Sequence, residues 1–452
     1  MRDMTIGPAG SQIFKFAIPM LLGNVFQQLY NIVDTIIIGQ YIGKEALAAA
    51  GASFPVIFVL ISLVIGITTG TTIIISQNYG AKNFTQVKRA IDTTFVYLFY
   101  ASLLLTIIGL LFIETIWGWM GIPEEIRPDA TIYFNIYAAG LILMFGYNAV
   151  SAILRGLGDS KTPLYFLIIA SLLNVILDLL FVVGFKWGIG SVALATVISH
   201  GVSFVLCILY LNKTHTLIKI GFKKLIFDKE IFVKSVKIGL PTGFQHTFVA
   251  LGMTAMMGIV SDFGTNSLAA FTIAIRIDSF AAMPAMNFSM ALSTFVGQNI
   301  GANKLDRIRS GLNYTLLITS IISIAVSLIA WLFGNSLMQV FTNDAEVIKI
   351  GYQYLIIVCS FYVVFSAMFA VQGVLRGAGD TLIPMFITLF ALWILRIPAS
   401  YILAKYIGTD GIWLGIPIAW IFGLLAVFIY YKSGRWKKKQ VIKRAEVDIS
   451  AP

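Results

Sequence analysis

Residues 77–83 read QNYGAKN and residues 298–304 read QNIGANK; residues 154–159 read LRGLGD and residues 375–380 read LRGAGD. Both pairs are separated by 221 residues, and Leu47-Ala48-Ala49 against Leu268-Ala269-Ala270, and Pro163 against Pro384, keep that interval. A register held over more than a hundred residues marks a duplicated unit. The chain is 58% hydrophobic and only 12% charged, outside what a soluble chain of 452 residues carries. Its apolar stretches reach the roughly 20 residues that cross a bilayer. Twelve can be counted, from 13–38 to 411–431, six in each copy.

Six is even, so both copies start and finish on one membrane face and share one orientation. The expected fold is an all-α membrane protein of twelve transmembrane helices, in two six-helix lobes related by a pseudo-two-fold axis along the membrane normal. Tandem parallel copies around a central cavity are a construction of secondary transporters. The expected division is residues 1–211 for the first lobe, 212–236 for a Lys-rich linker, 237–431 for the second lobe and 432–452 for a basic tail.

The net charge of +11 is distributed by topology rather than by a nucleic-acid surface. With a cytoplasmic amino terminus, 25 of the 32 Lys and Arg fall on the cytoplasmic side and five outside. That bias predicts a multi-pass protein of the cell membrane with both termini cytoplasmic. The run Arg435-Trp436-Lys437-Lys438-Lys439 is read as an anchor against anionic lipid. The first apolar run is a full span without a cleavage site, so no removable signal is expected. Cys207 and Cys359 both fall within spans and predict no disulfide framework.

The glycines of the two LRG-x-GD motifs, Gly156, Gly158, Gly377 and Gly379, suit tight helix-to-helix connections, with Asp159 and Asp380 available to bond the turn. Gly158-Asp159-Ser160-Lys161-Thr162 lacks the ending of a phosphate-binding loop, which argues against ATP-driven transport. Taken together and in register, twelve spans, the long linker, QN-x-GA and LRG-x-GD resemble the multidrug and toxic compound extrusion (MATE) family, over nearly the whole chain. The match is nearest to the branch whose cation site lies in the N-terminal lobe. The resemblance implies a V-shaped cavity between the lobes and export of organic cations against inward H⁺ or Na⁺.

The residues point to a site independently. Helix 1 carries Asn24, Gln27, Asn31 and Asp34 at spacings of three and four, one polar stripe on an apolar helix. Helix 5 repeats the device with Ser171, Asn174 and Asp178. An ionised Asp at mid-bilayer costs about 2.5–3.5 kcal/mol on insertion scales, so such groups face a bundle interior or a wet cavity. A purely structural hydrogen bond between helices returns only about 0.6–2 kcal/mol. Asp34, Asp178 and Asn174 are therefore the expected cation-coupling residues. Two carboxylates in one dehydrated pocket repel unless a proton or a cation neutralises them. The same oxygens suit Na⁺, so Asp34, Asn174 and Asp178 are also the metal ligands if Na⁺ is the ion; the residue types leave H⁺ and Na⁺ both open, and no other cofactor is expected. The resemblance agrees, matching its first-lobe carboxylate to Asp34, its Asn-x3-Asp pair to Asn174 and Asp178, and a proline fifteen residues before the carboxylate to Pro19, a hinge.

Gln27, Asn31, Tyr30, Tyr137, Tyr147 and Asn148 are assigned to the wall of the first-lobe cavity. In the second lobe, stretches near Val249 and Phe365, where some MATE branches carry acids, are apolar. Arg276, Asp278 and Arg396 read as an interhelical network. His246 is read as the one His deep enough to face the cavity, with His200 and His215 near the cytoplasmic face. Met256, Met283 and Met286 suit either packing or a site that accepts many apolar shapes. The expected partners are a small organic cation or amphipathic substrate and the lipid bilayer, with no nucleic acid, and the chain is expected to be a monomer.

An antiporter is the function expected. The alternative is a flippase for lipid-linked oligosaccharide or polysaccharide, which would line its cavity with several cations to hold pyrophosphate; only Arg276 and Arg396 lie within spans. An enzyme is not expected, because no His-Glu-x-x-His, Gly-x-Ser-x-Gly or Cys/His pairing is present.

Overall fold

The structure, a computed structural model, describes residues 2–214, 219–221 and 225–442. Among them the secondary structure is helical throughout. The first copy comprises α1 (Ala9–Ile37), α2 (Lys44–Gly80), α3 (Phe84–Met120), α4 (Arg127–Ala139), α5 (Leu141–Gly156), α6 (Lys161–Asp178) and α7 (Gly190–Thr214). The second comprises α8 (Lys229–Ser261), α9 (Thr265–Gly301), α10 (Leu305–Gln339), α11 (Ala345–Cys359), α12 (Tyr362–Gly377), α13 (Leu382–Leu389), α14 (Ile397–Ile407) and α15 (Thr409–Lys432). Nine helices among the described residues are long and apolar enough to cross a membrane, or eleven when α4–α5 and α11–α12 each count as one bent span. α1 completes the twelve; its polar stripe dilutes an otherwise sufficient length of 29 residues.

The two bent spans occupy equivalent places and bend alike, by 49° and 48°. At the first, Gly140 separates α4 from α5 and leaves room for Val197. At the second, the Ser360 hydroxyl donates back to the Ile356 carbonyl at 2.6 Å, a bond that competes with the helix ladder and bends it. Two different local causes thus produce one geometry.

α8 begins at Lys229, eight residues before the expected start of the second lobe at 237 and inside the expected linker. Asp228 caps it, its carboxylate accepting the backbone N–H of Glu230 at 3.0 Å and of Ile231 at 3.1 Å. This early start gives each lobe a piece of the other. Ile231 and Ile238 of α8 are buried in a first-lobe core with Ile74, Ile91 and Leu154. Reciprocally, Ile13, Phe16 and Ala17 of α1 are buried in a second-lobe core with Phe288, Phe295 and Leu375. Pro19 in α1 and Pro241 in α8 lie just after these exchanged segments. A proline removes one ladder bond, which suits the point where a helix changes partners.

The lobes meet along two unlike seams. Where α2 crosses α8, Gly66 and Gly70 face Gly239 and Gly243; a Cβ on Gly66 would strike the Gly239 carbonyl oxygen at 2.7 Å, so the backbones touch. This is the small-residue packing that brings membrane helices together. On the other seam, where α1 crosses α9, the Asn24 amide donates to Asn287 at 3.1 Å.

Candidate functional site

The polar stripe of α1 divides between two neighbours. Asn24 reaches the second lobe, while Asp34, one helical run further on, meets α6 in the first. The Asp34 and Asp178 carboxyl groups face one another closely enough to interact directly. Asp178 is completely buried. Neither of its oxygens has a hydrogen-bond partner within the protein, nor does Oδ1 of Asp34. Buried polar atoms are rarely left so, and a cluster of them calls for a bound species.

Local backbone geometry helps to hold the pair. Asp178 is the last residue of α6, and a π-helical segment, Leu179–Gly184, follows it. α1 likewise runs into a π-helical segment, Ile38–Ile42, four residues after Asp34. Such widened turns are costly and concentrate at functional sites. Around the carboxyls stand Tyr30, Tyr133 and Tyr137, the last two ring-stacked at 6.3 Å.

One turn below Asp178, Asn174 donates its amide to the Thr196 hydroxyl of α7 at 3.3 Å and leaves its own carbonyl oxygen unpaired. It opens on a cavity of about 10 Å³, room for about one water-sized species, lined by Tyr30, Ala170, Ser171, Asn174, Thr196, Ser199 and His200. Ser199 Oγ and His200 Nδ1 are also buried without a partner. The donor set is two carboxylates, an amide carbonyl and hydroxyls. Those are hard oxygens, suited to a proton or to Na⁺ rather than to a soft metal.

The expected residues fall into three groups. Asp34, Asp178, Asn174, Tyr30 and Tyr137 gather here. Gln27 and Asn31 are exposed on α1, and Gln27 lies within hydrogen-bonding reach of Tyr30. Tyr147 is buried behind the cavity; its hydroxyl donates to the Pro163 carbonyl at 3.0 Å and its ring packs on His200. Asn148 turns back on its own helix, donating to the Met144 carbonyl at 2.9 Å.

His200 corrects the sequence reading. It lies ten residues into α7, beside Asn174, and not near the basic face; His215 is outside the described residues. Thr196, Ser199 and Tyr133 were missed with it. A signal was present, since Thr196, Ser199, His200 and Ser203 have the spacing of one helical face.

The second lobe differs. Met256 is fully buried with Val260, Phe271 and Tyr354, so it belongs to packing and not to a cavity wall. Met283 and Met286 are on the stretch of α9 that carries Asn287, opposite α1, and Met286 is exposed. His246 sits near Arg376. Arg376 itself donates to Gln245 at 3.2 Å and Gln372 at 3.1 Å, and both amides donate to the Thr388 hydroxyl. Tyr362 donates to Asp278, with Arg396 nearby. Arg276 is exposed.

The MatE family pattern matches residues 19–180 and again residues 241–402. The chain belongs to this family. Within the MATE family it is 33% identical to the probable multidrug resistance protein YoeA of Bacillus subtilis, over 95% of this chain and 94% of that one. It is 32% identical to the probable multidrug resistance protein YpnP of the same organism, over 96% and 97%. A solved structure described as the outward-facing conformation of a multidrug resistance MATE family transporter superposes with a TM-score of 0.90 at 25% identity, covering 96% of this chain and 98% of that one. This MATE protein is a multi-pass membrane transporter and not an enzyme, built as two six-helix lobes.

Proposed function

We propose that the protein exports organic cations or amphipathic drugs in exchange for inward H⁺ or Na⁺, through the first-lobe site. The observation that carries this reading is the buried Asp34–Asp178 pair, which lacks a cationic side-chain partner among the described residues. A pair of ionised carboxylates so placed is stable only with a cation or proton between them. The relatives described as multidrug resistance proteins support an efflux role, and the bias of Lys and Arg supports a cytoplasmic position for both termini.

The chemistry follows from which helix moves. α6 and α7 hold Asp178, Asn174 and Thr196 on one side, and α1 alone carries Asp34 across from them. A cation or proton arriving from outside removes the repulsion and draws the second half of α1 onto α6, with Pro19 as the flexible point. The stripe of Gln27, Tyr30 and Asn31 moves with it, so the substrate surface and the ion site cannot both stay open. Occupancy by the ion then expels the substrate.

Reconstituted vesicles test this with an imposed pH gradient and, separately, an imposed Na⁺ gradient, scoring uptake of a fluorescent organic cation. Uptake driven by one of them names the ion. Uptake driven by neither would defeat the proposal.

A further inference from the structure

The two repeated motifs come together at the basic face, and each holds a segment from one end of the described chain. Gln77 at the end of α2 donates to the carbonyl of Gly377 in the other lobe at 3.0 Å, and Gln298 at the end of α9 donates to the carbonyl of Gly156 at 3.3 Å. The helix ends touch: a Cβ on Gly80 would run into the Gln298 carbonyl, and one on Gly301 into that of Gln77. Each glutamine has a carbonyl oxygen left over. Gln298 accepts the backbone N–H of Met4 at 2.9 Å, and Gln77 accepts the backbone N–H of Val441 at 2.9 Å.

These two terminal segments are unrelated in sequence yet fill equivalent notches. The first passes over Gly158, φ +81°, where a Cβ would collide with the Arg2 carbonyl. The second passes over Gly379, φ +95°, where a Cβ would lie 2.9 Å from the Lys439 carbonyl. Each strap therefore spans the lobe boundary, lying on the LRG-x-GD loop of one lobe and bonded to the glutamine of the other. The first is held further by Lys304, which donates to the Thr5 carbonyl at 2.8 Å, and by Arg307, which donates to the Gly7 carbonyl at 2.8 Å. The second is pinned by Trp436, buried and stacked on Tyr431, and by Val441, which packs on a first-lobe core.

We infer that the segments 2–7 and 436–442 are paired straps that lock the basic face of the transporter shut, and that both must leave their notches before the lobes part there. Without its strap, each glutamine keeps its bond across the boundary but loses the segment that bridges the two lobes. The inference requires only that the lobes separate at this face, whatever the ion or the substrate.

Ser76 reports on it. Its side chain is fully buried on α2 against Gly297 of α9, between the lobes, whereas the native Cys207 and Cys359 are buried within lobe cores. In inside-out vesicles without any gradient, a membrane-impermeant maleimide labels Ser76→Cys only when this face opens. Met4→Pro, which removes the donor N–H, and truncation after Lys439 should each speed that labelling at least about fivefold, the factor of one net hydrogen bond, because the buried Met4 side chain and the packed Val441 are lost as well. Labelling of Cys207 and Cys359 should not change. Unchanged Ser76→Cys labelling in both variants would overturn the inference, and so would a parallel rise at Cys207, which would signal general loosening. Because no ion or drug is present, either result stands apart from the antiport proposal.

Discussion

The two lobes share a scaffold and differ in what they carry at its centre. At the repeat interval, the positions equivalent to Asp34, Asn174 and Asp178 are Ala255, Leu395 and Ala399. The second lobe has an acid elsewhere, Asp278, but there Tyr362 donates to it and Arg396 stands close by. One acid pair is left without protein partners and the other acid is satisfied. Duplication thus reproduced the helices and the kinks, while the facing pair of carboxyl groups without partners lies, among the described residues, in the first copy. By contrast QN-x-GA and LRG-x-GD persist in both copies, because each one is a contact surface for the opposite lobe.

Breaking the asymmetry at its strongest point gives the largest effect. Asp34→Asn and Asp178→Asn should each reduce gradient-driven efflux to the background of empty vesicles while membrane expression is kept; normal efflux in both would remove the distinction between lobes. Next comes the acid of the second lobe. Asp278→Asn should lower stability by about 1.5–3 kcal/mol, the value of a hydrogen bond to a charged group, seen as a lower melting temperature in detergent, while gradient-driven efflux persists. The glycine seam sharpens the comparison of the two lobe boundaries. Gly66→Ala forces the α2 and α8 backbones apart and should cost about 1–3 kcal/mol by the same melt. Asn24→Leu, on the opposite seam, should cost only about 0.6 kcal/mol, because the lost bond is a single neutral one within the membrane. Equal losses at the two seams would show that they bear the same load.

The 221-residue register made the two-lobe architecture legible before any coordinates, since a repeat with an even number of spans has one orientation available. The stripes of α1 and α6 were legible for the same reason as any amphipathic face: polar groups at helical spacing have to point somewhere wet. His200 was legible only through its helical spacing with Thr196, Ser199 and Ser203, a weak signal because such small residues are tolerated anywhere in a span. Met256 could not be assigned either way, as a thioether suits a core and a cavity equally. The exchanged helix starts left no trace, since Ile13 and Phe16 are apolar and nothing in an apolar residue says which of two cores it will enter. The terminal straps were invisible because their bonds use backbone N–H groups, which every residue but proline possesses.

The exchange of helix starts carries a consequence for biogenesis. The first lobe leaves the ribosome before Ile231 and Ile238 exist, so its core stays incomplete until synthesis has crossed the linker. The opening turns of α1, made first of all, wait for Phe288, Phe295 and finally Leu375 before they find their place. Maturation in the bilayer therefore cannot finish one lobe before the other has begun, and a nascent chain arrested between the lobes should be prey for quality-control proteolysis rather than a stable half-transporter.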